Sequence, residues 1–160
     1  MLKEGWRVVR ATPGMITKEA VDQLEELFNS GFSKEKLKRV FSRERFCKSW
    51  YVFFQMQNTI MFLLLDKKDK IRGIMAGIAV FDTLTNNLLV TELAWRVRKP
   101  GTGGGKALYE YFESWAKLIG ATRIILGGEV GEHEERAKQF YTDRGFEVTG
   151  FVVSKDLNGG

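Results

Sequence analysis

A chain of 160 residues that is 44% hydrophobic and 12% aromatic, with two prolines, is long enough for one core and too apolar to remain disordered, so a single domain over residues 1–160 is expected. Its longest apolar run near the middle, Ile60 to Leu65, is far too short to cross a bilayer, and Met1-Leu2-Lys3-Glu4-Gly5-Trp6 lacks the apolar segment of a secretory signal, so no membrane partner and a cytoplasmic location are expected. One cysteine, Cys47, excludes an intrachain disulfide framework and is expected as a small buried hydrophobe; a net charge of +5 favours anionic ligands, including cofactor phosphates and nucleic acid.

In chain order, Trp6 to Ala11 reads as a short strand closed by Thr12-Pro13-Gly14. Thr17 then caps a helix in which Ala20, Val21, Leu24, Leu27 and Phe28 recur at intervals of three and four, and Asn29-Ser30-Gly31 stops it. A second helical region starts at Ser33, with Leu37, Val40 and Phe41 on one face. The aromatic stretch Trp50 to Phe54 that follows fits either helix or strand. Lys34, Lys36, Lys38, Arg39, Arg43, Arg45 and Lys48 make this region basic, which suits a solvated helix face or a nucleic-acid contact. Ile60–Leu65, Ile71–Phe81 and Leu88–Val97, joined by the polar turns Lys67–Lys70 and Asp82–Asn87, read as an antiparallel meander.

The most informative segment comes next. Arg98-Lys99-Pro100-Gly101-Thr102-Gly103-Gly104-Gly105-Lys106 follows a strand and opens a helix with a stripe of Leu108, Tyr111, Phe112, Trp115 and Ile119. Glycines permit a tight turn and close approach of a ligand to the main chain, and the first N–H groups of a helix lack internal partners at the positive end of its dipole. Strand, glycine turn and helix start therefore make an anion site, and a phosphorylated cofactor is the expected ligand. Gly120 ends the helix. Ala121–Leu126 reads as a strand buried on both faces, Glu134–Arg144 as a helix stopped at Gly145, and Phe146–Val153 as a last strand. The order β-α-α-β-β-β-α-β-α-β implies an α/β (α+β) fold, a mixed and mostly antiparallel sheet with helices on both faces. It is not the repeated βαβ of a dinucleotide fold.

Two segments carry a family resemblance. Leu93-Ala94-Trp95-Arg96-Val97 followed by Gly101-Thr102-Gly103-Gly104-Gly105-Lys106-Ala107-Leu108 resembles the fourth strand and pyrophosphate loop (R/Q-x-x-G-x-G/A) of the GNAT superfamily of acyl-CoA-dependent N-acetyltransferases. Ala137-Lys138-Gln139-Phe140-Tyr141-Thr142-Asp143-Arg144-Gly145-Phe146 resembles that family's A-x-x-F-Y-x-x-x-G-F. The loop pattern fits in three registers, starting at Arg98, Pro100 or Thr102; the Pro100 register agrees best with the flanking strand and helix but loses the Arg. Glu134 stands where the family often has Asn.

The resemblance implies acetyl-CoA as co-substrate and an amine acceptor, whether small molecule, protein or nucleobase. The cofactor would wedge between strands Leu88–Val97 and Ala121–Leu126, with pantetheine along the backbone near Trp95 and Val97. Arg98, Gly101, Thr102, Gly103, Gly104, Gly105 and Lys106 would meet the diphosphate, and Arg136 and Lys138 would reach the phosphates. Tyr141 matches the family tyrosine that acts as general acid. Glu92 interrupts an apolar strand just before Leu93, where the acceptor would approach, and is the candidate base, directly or through water; a slip or bulge in the strand would turn it away. Direct transfer needs no covalent enzyme intermediate. No metal-ligand spacing appears, and the lone histidine, His133, is expected in a solvated loop. A nucleic-acid-associated protein on the same scaffold, a non-catalytic acyl-CoA binder, and a homodimer stay open.

Overall fold

The computed structural model describes residues 1–30, 41–127 and 134–149. The expectations at Ser33–Val40 and at His133 lie outside these residues, as does Gly150–Val153 of the last strand; Phe146–Thr149 carries no strand pairing. The chain divides into two compact units, Met1–Leu126 and Gly127–Gly160.

The first unit holds a five-stranded sheet in the order β1 (Arg7–Arg10), β2 (Thr59–Leu65), β3 (Ile71–Phe81), β4 (Leu88–Val97), β5 (Arg123–Ile125). Neighbours are antiparallel except β4 and β5, which run parallel. Helices α1 (Lys18–Asn29) and α2 (Arg43–Gln55) precede β2, and α3 (Gly104–Leu118) links β4 to β5. Thr17 caps α1 as expected, its hydroxyl oxygen accepting the Ala20 N–H at 3.1 Å.

Strand alternation sorts the core into two layers. Met61, Leu63, Leu65, Ile74 and Ala76 pack with Ala20, Leu24 and Leu27 of α1 and Trp50 of α2. On the opposite face, Gly73 and Gly77 make room for Leu108 and Phe112 of α3: a Cβ at Gly77 would stand 2.4 Å from the Phe112 ring. This close approach packs α3 directly against β3.

The aromatic stretch after Ser42 is helical. Phe46, Trp50, Phe53 and Phe54 recur at helical spacing and stack on one another, with ring centroids 5.0–5.6 Å from Trp50. Cys47 falls one position off that stripe and is exposed, not buried as expected. In α3 the buried stripe is Leu108, Tyr109, Phe112 and Ala116, whereas Tyr111 is half exposed with its ring edge against Phe62. The expected double-sided burial of Ala121–Leu126 is also corrected. Only Arg123–Ile125 pairs, among the described residues it is the last strand of the sheet, beside β4, and Ile125 keeps 41% of its surface exposed. The second unit contains α4 (Glu134–Thr142), followed by a turn closed at Gly145 in the left-handed region (φ 74°).

Candidate active site

The glycine turn leaves amides at the start of α3 without acceptors among the described residues. Gly103 precedes α3 with φ 74°, a conformation glycine adopts without strain. A side chain there would also strike the backbone of Met1 and Leu2, since a Cβ would lie 2.4 Å from the Met1 carbonyl oxygen. The same N-terminal segment braces the turn through the Lys3 N–H, which donates to the Thr102 carbonyl at 3.0 Å. The first internal bond of α3 runs from Ala107 N–H to the Gly103 carbonyl at 3.0 Å, and no side chain caps the helix. Among the described residues no acceptor meets the N–H groups of Gly104, Gly105 or Lys106.

Gly104 is required by packing, because a Cβ would stand 2.3 Å from Leu64. Gly105 is different: a Cβ there would find ordinary contacts, 3.7 Å from Val97 and 4.0 Å from Trp95. A helical glycine costs roughly 0.5–1 kcal/mol relative to alanine, and the fold does not demand this one. A bare backbone is useful there if a ligand comes close. Orphan amides, the dipole of a 15-residue helix and an unforced glycine together fit a diphosphate. Gly103 before the helix and Gly105 in its first turn correspond to the Pro100 register.

Two basic side chains near the turn, Arg98 and Lys106, have partners within the chain. The Arg98 guanidinium reaches Glu26 of α1 at 3.1 Å, and the Lys106 ammonium lies 3.6 Å from Glu110 along α3. Thr102 donates its hydroxyl to the Lys99 carbonyl at 3.0 Å. The amides, more than these side chains, define the anion site.

Strand β4 opens beside the turn. Its register with β5 covers Leu89–Arg123, Val90–Ile124 and Thr91–Ile125 and ends there, while β4 continues to Val97. Arg98 donates its N–H to the Arg72 carbonyl of the β3 side at 2.9 Å. By strand alternation the main-chain groups of Val97 and Trp95 turn the other way, toward the side that β5 has left. The Trp95 ring lies on the α3 face, 6.0 Å from the Tyr109 ring.

A bulge interrupts the pairing at the same point: Ala76 faces Ala94 and Gly77 faces Glu92, so Leu93 is the extra residue. The inserted residue reverses the parity of everything before it. Glu92 thereby shares a face with Gly77 and Trp95, the face of α3, and Leu93 projects to the α2 face. The Glu92 side chain is largely buried, its Oε2 has no hydrogen-bond partner, and burial pushes its carboxyl up from 4.5 to about 7. A proton acceptor poised near neutrality at the place where a sheet opens is a candidate base.

On the α2 face a groove of about 400 Å³ runs past the bulge, walled by Val52 and Phe53 of α2 and Met56 just after it, with Ile78 and Leu93. Of these five residues only Leu93 lies in a segment that carried the family resemblance. The outward apolar residues of α2 were the available signal, and only the bulge aims Leu93 into the groove.

Of the expected site residues, the fold brings together Glu92, Trp95, Val97, Arg98, Gly101, Thr102, Gly103, Gly104, Gly105 and Lys106 along β4 and the turn after it. Arg136 and Tyr141 lie on α4 in the second unit. There the Tyr141 ring is half buried, 5.9 Å from Phe140 and 5.6 Å from Phe146, and its carbonyl accepts the N–H groups of Arg144 and Phe146. No cluster of three or more His, Cys, Asp or Glu suited to a metal, and no helix long and apolar enough to cross a membrane, occurs among the described residues.

Comparison with known proteins shows the family to which this architecture belongs. The family model "Acetyltransferase (GNAT) family" matches residues 21–146, so the chain belongs to the GNAT acetyltransferase family. Among solved structures, a transcriptional regulator from Bacillus halodurans superposes with a TM-score of 0.77 at 16% identity, covering 95% of this chain and 99% of that one. A GNAT family acetyltransferase from Staphylococcus aureus gives 0.70 at 16% identity, covering 96% and 99%. Glucosamine-6-phosphate N-acetyltransferase from Arabidopsis thaliana gives 0.70 at 15% identity, with the same coverage of 96% and 99%. At these identities the likeness establishes the shared fold. A comparison with curated protein sequences finds no match.

Proposed function

We infer that the protein is an N-acetyltransferase that moves an acetyl group from acetyl-CoA to an amine by direct attack. The observation that carries this reading is the turn after β4, where the N–H groups of Gly104, Gly105 and Lys106 meet no acceptor among the described residues, beside a strand edge that β5 no longer covers. Acetyl-CoA supplies the activated thioester. The amides of the turn hold its diphosphate, and the main chain of Trp95 and Val97 receives the pantetheine as an added strand would be received.

As the new N–C bond forms and the C–S bond breaks, the amine gives up one proton and the sulfur needs one. Glu92 takes the first, directly or through a water, and is ionised for that task above about pH 7. Tyr141 gives the second; its assignment rests on its motif, and Arg136 joins the phosphate contacts on the same footing. The orphaned Oε2 of Glu92 supports the base role, since a buried carboxylate without a partner costs stability that function can explain.

The nucleic-acid reading has less support. Arg43 pairs with Asp22 and lies 3.0 Å from Glu25, and Lys48 lies 2.6 Å from Glu44, so these cations of the basic stretch are already matched. The test is titration of the protein with acetyl-CoA, followed by thiol release on an amine panel by wild type and E92Q. Saturable binding and Glu92-dependent thiol release support the proposal; absence of acetyl-CoA binding overturns it.

A further inference from the structure

The groove on the α2 face carries information about the acceptor that the family does not. It meets β4 at Leu93, the bulged residue next to Glu92, so its contents lie against the strand segment where transfer is proposed to occur. Its volume, about 400 Å³, is that of a site for a small molecule. The walls are apolar although they face solvent: Val52, Met56 and Leu93 keep 56%, 41% and 57% of their surface exposed. Three large apolar side chains converging on one solvent-facing hollow mark a binding surface rather than scattered exposure.

Its polar chemistry is equally specific. The Thr59 hydroxyl proton is engaged by the Phe53 and Met56 carbonyls at 2.7 and 3.0 Å, which also satisfies the last turn of α2. Ser49 is the other hydroxyl of the lining. Among the described lining residues Lys48 is the ionisable one, its ammonium 2.6 Å from Glu44, and no carboxylate is among them. A second positive charge on the acceptor would therefore find no unpaired anion among the described lining residues, on a chain that already carries +5. An apolar body would instead remove the walls from water.

We propose that the groove selects a small primary amine carried on an aliphatic or aromatic body with no second positive charge, seated between α2 and the Leu93 bulge. This rests on the acetyltransferase reading and narrows its acceptor. The amine nitrogen reaches the strand edge at Leu93, past the end of the β5 pairing, gains the acetyl carbon as the thioester C–S bond breaks, and passes its proton through a water at that edge to Glu92 on the other face of β4; the sulfur leaves as the thiol.

The test compares kcat/KM for phenethylamine and hexylamine with that for spermidine, an aminoglycoside, glucosamine 6-phosphate and a lysine-containing peptide, with acetyl-CoA binding measured separately by calorimetry. The apolar monoamines are expected to exceed the others by at least about tenfold, the discrimination that a hydrophobic pocket gives. Val52→Glu, on an exposed helix position, and Leu93→Ala should each lower kcat/KM for phenethylamine about tenfold or more while leaving acetyl-CoA affinity unchanged. Preference for the polycation, the sugar phosphate or the peptide overturns the inference and leaves the acetyltransferase reading standing. So does loss of acetyl-CoA affinity in step with amine activity in both variants. Acetyl-CoA binding without acetylation of any amine overturns the inference, and failure to bind acetyl-CoA removes the reading beneath it as well.

Discussion

Replacing Glu92 with glutamine preserves the outline of the side chain and deletes its charge. Burial lifts the Glu92 carboxyl from 4.5 to about 7 in the folded chain, whereas in the unfolded chain it titrates at its ordinary value. Between those two values the folded state keeps a proton that the unfolded state has lost, so stability falls as pH rises through that window. Above it the full cost is present, about 3 kcal/mol at pH 8, against about 1 kcal/mol at pH 5. E92Q should therefore exceed the wild type in unfolding free energy by about 3 kcal/mol at pH 8 and by about 1 kcal/mol at pH 5. Urea unfolding at both pH values, with matched m-values, reads this directly. In the same variant thiol release should drop on the order of 10²–10⁴-fold, and the rise of kcat/KM through about pH 7 should disappear. A stability gain that is the same at both pH values, or a loss at pH 8, would refute the reasoning, because neither follows from a desolvated carboxylate.

Gly105→Ala should leave folding unchanged or raise stability by roughly 0.5–1 kcal/mol, while weakening acetyl-CoA about tenfold or more in calorimetry. Gly103→Ala should instead destabilise the fold by about 1–3 kcal/mol in urea, since the position needs a left-handed backbone and contacts Met1. Asp66 is buried and accepts the N–H groups of Lys68 and Lys70 and the Arg72 guanidinium; burial raises its carboxyl but these bonds outweigh it and hold it below 3.8. Asp66→Ala should cost about 2–3 kcal/mol at pH 7, the gap closing as acid protonates Asp66 in the wild type below its ordinary value. Tyr141→Phe should lower kcat by about 10²-fold in steady-state thiol release with little change in acetyl-CoA affinity, if the hydroxyl serves as the acid.

The regular parts of this fold were legible because local rules wrote them. Thr17 announces α1 by its capping hydroxyl, and the bounds of β3 and β4 coincide with the apolar runs between polar turns. The glycine turn was readable as an anion site because strand, glycines and helix are contiguous in sequence. What stayed hidden depends on single-residue parity or on distant partners. One extra residue, Leu93, sends Glu92 to the α3 face, and no pattern in an isolated strand marks such a bulge. Cys47 and Tyr111 were misplaced for a related reason: each sits at the margin of its helix stripe, where one position of rotation exchanges core for solvent. The groove was invisible because α2, β2, β3 and β4 each contribute a part, and none of the parts is unusual alone.

The claim on which the rest stands is that backbone amides at the start of α3 hold a diphosphate. Amide ¹⁵N–¹H shifts of Gly104, Gly105 and Lys106 followed during addition of CoA, ADP and pantetheine test it most directly. The account predicts saturable shifts at these amides with CoA and ADP, the two ligands carrying a diphosphate, and none with pantetheine. Saturable binding of CoA that leaves all three amides unmoved would contradict it.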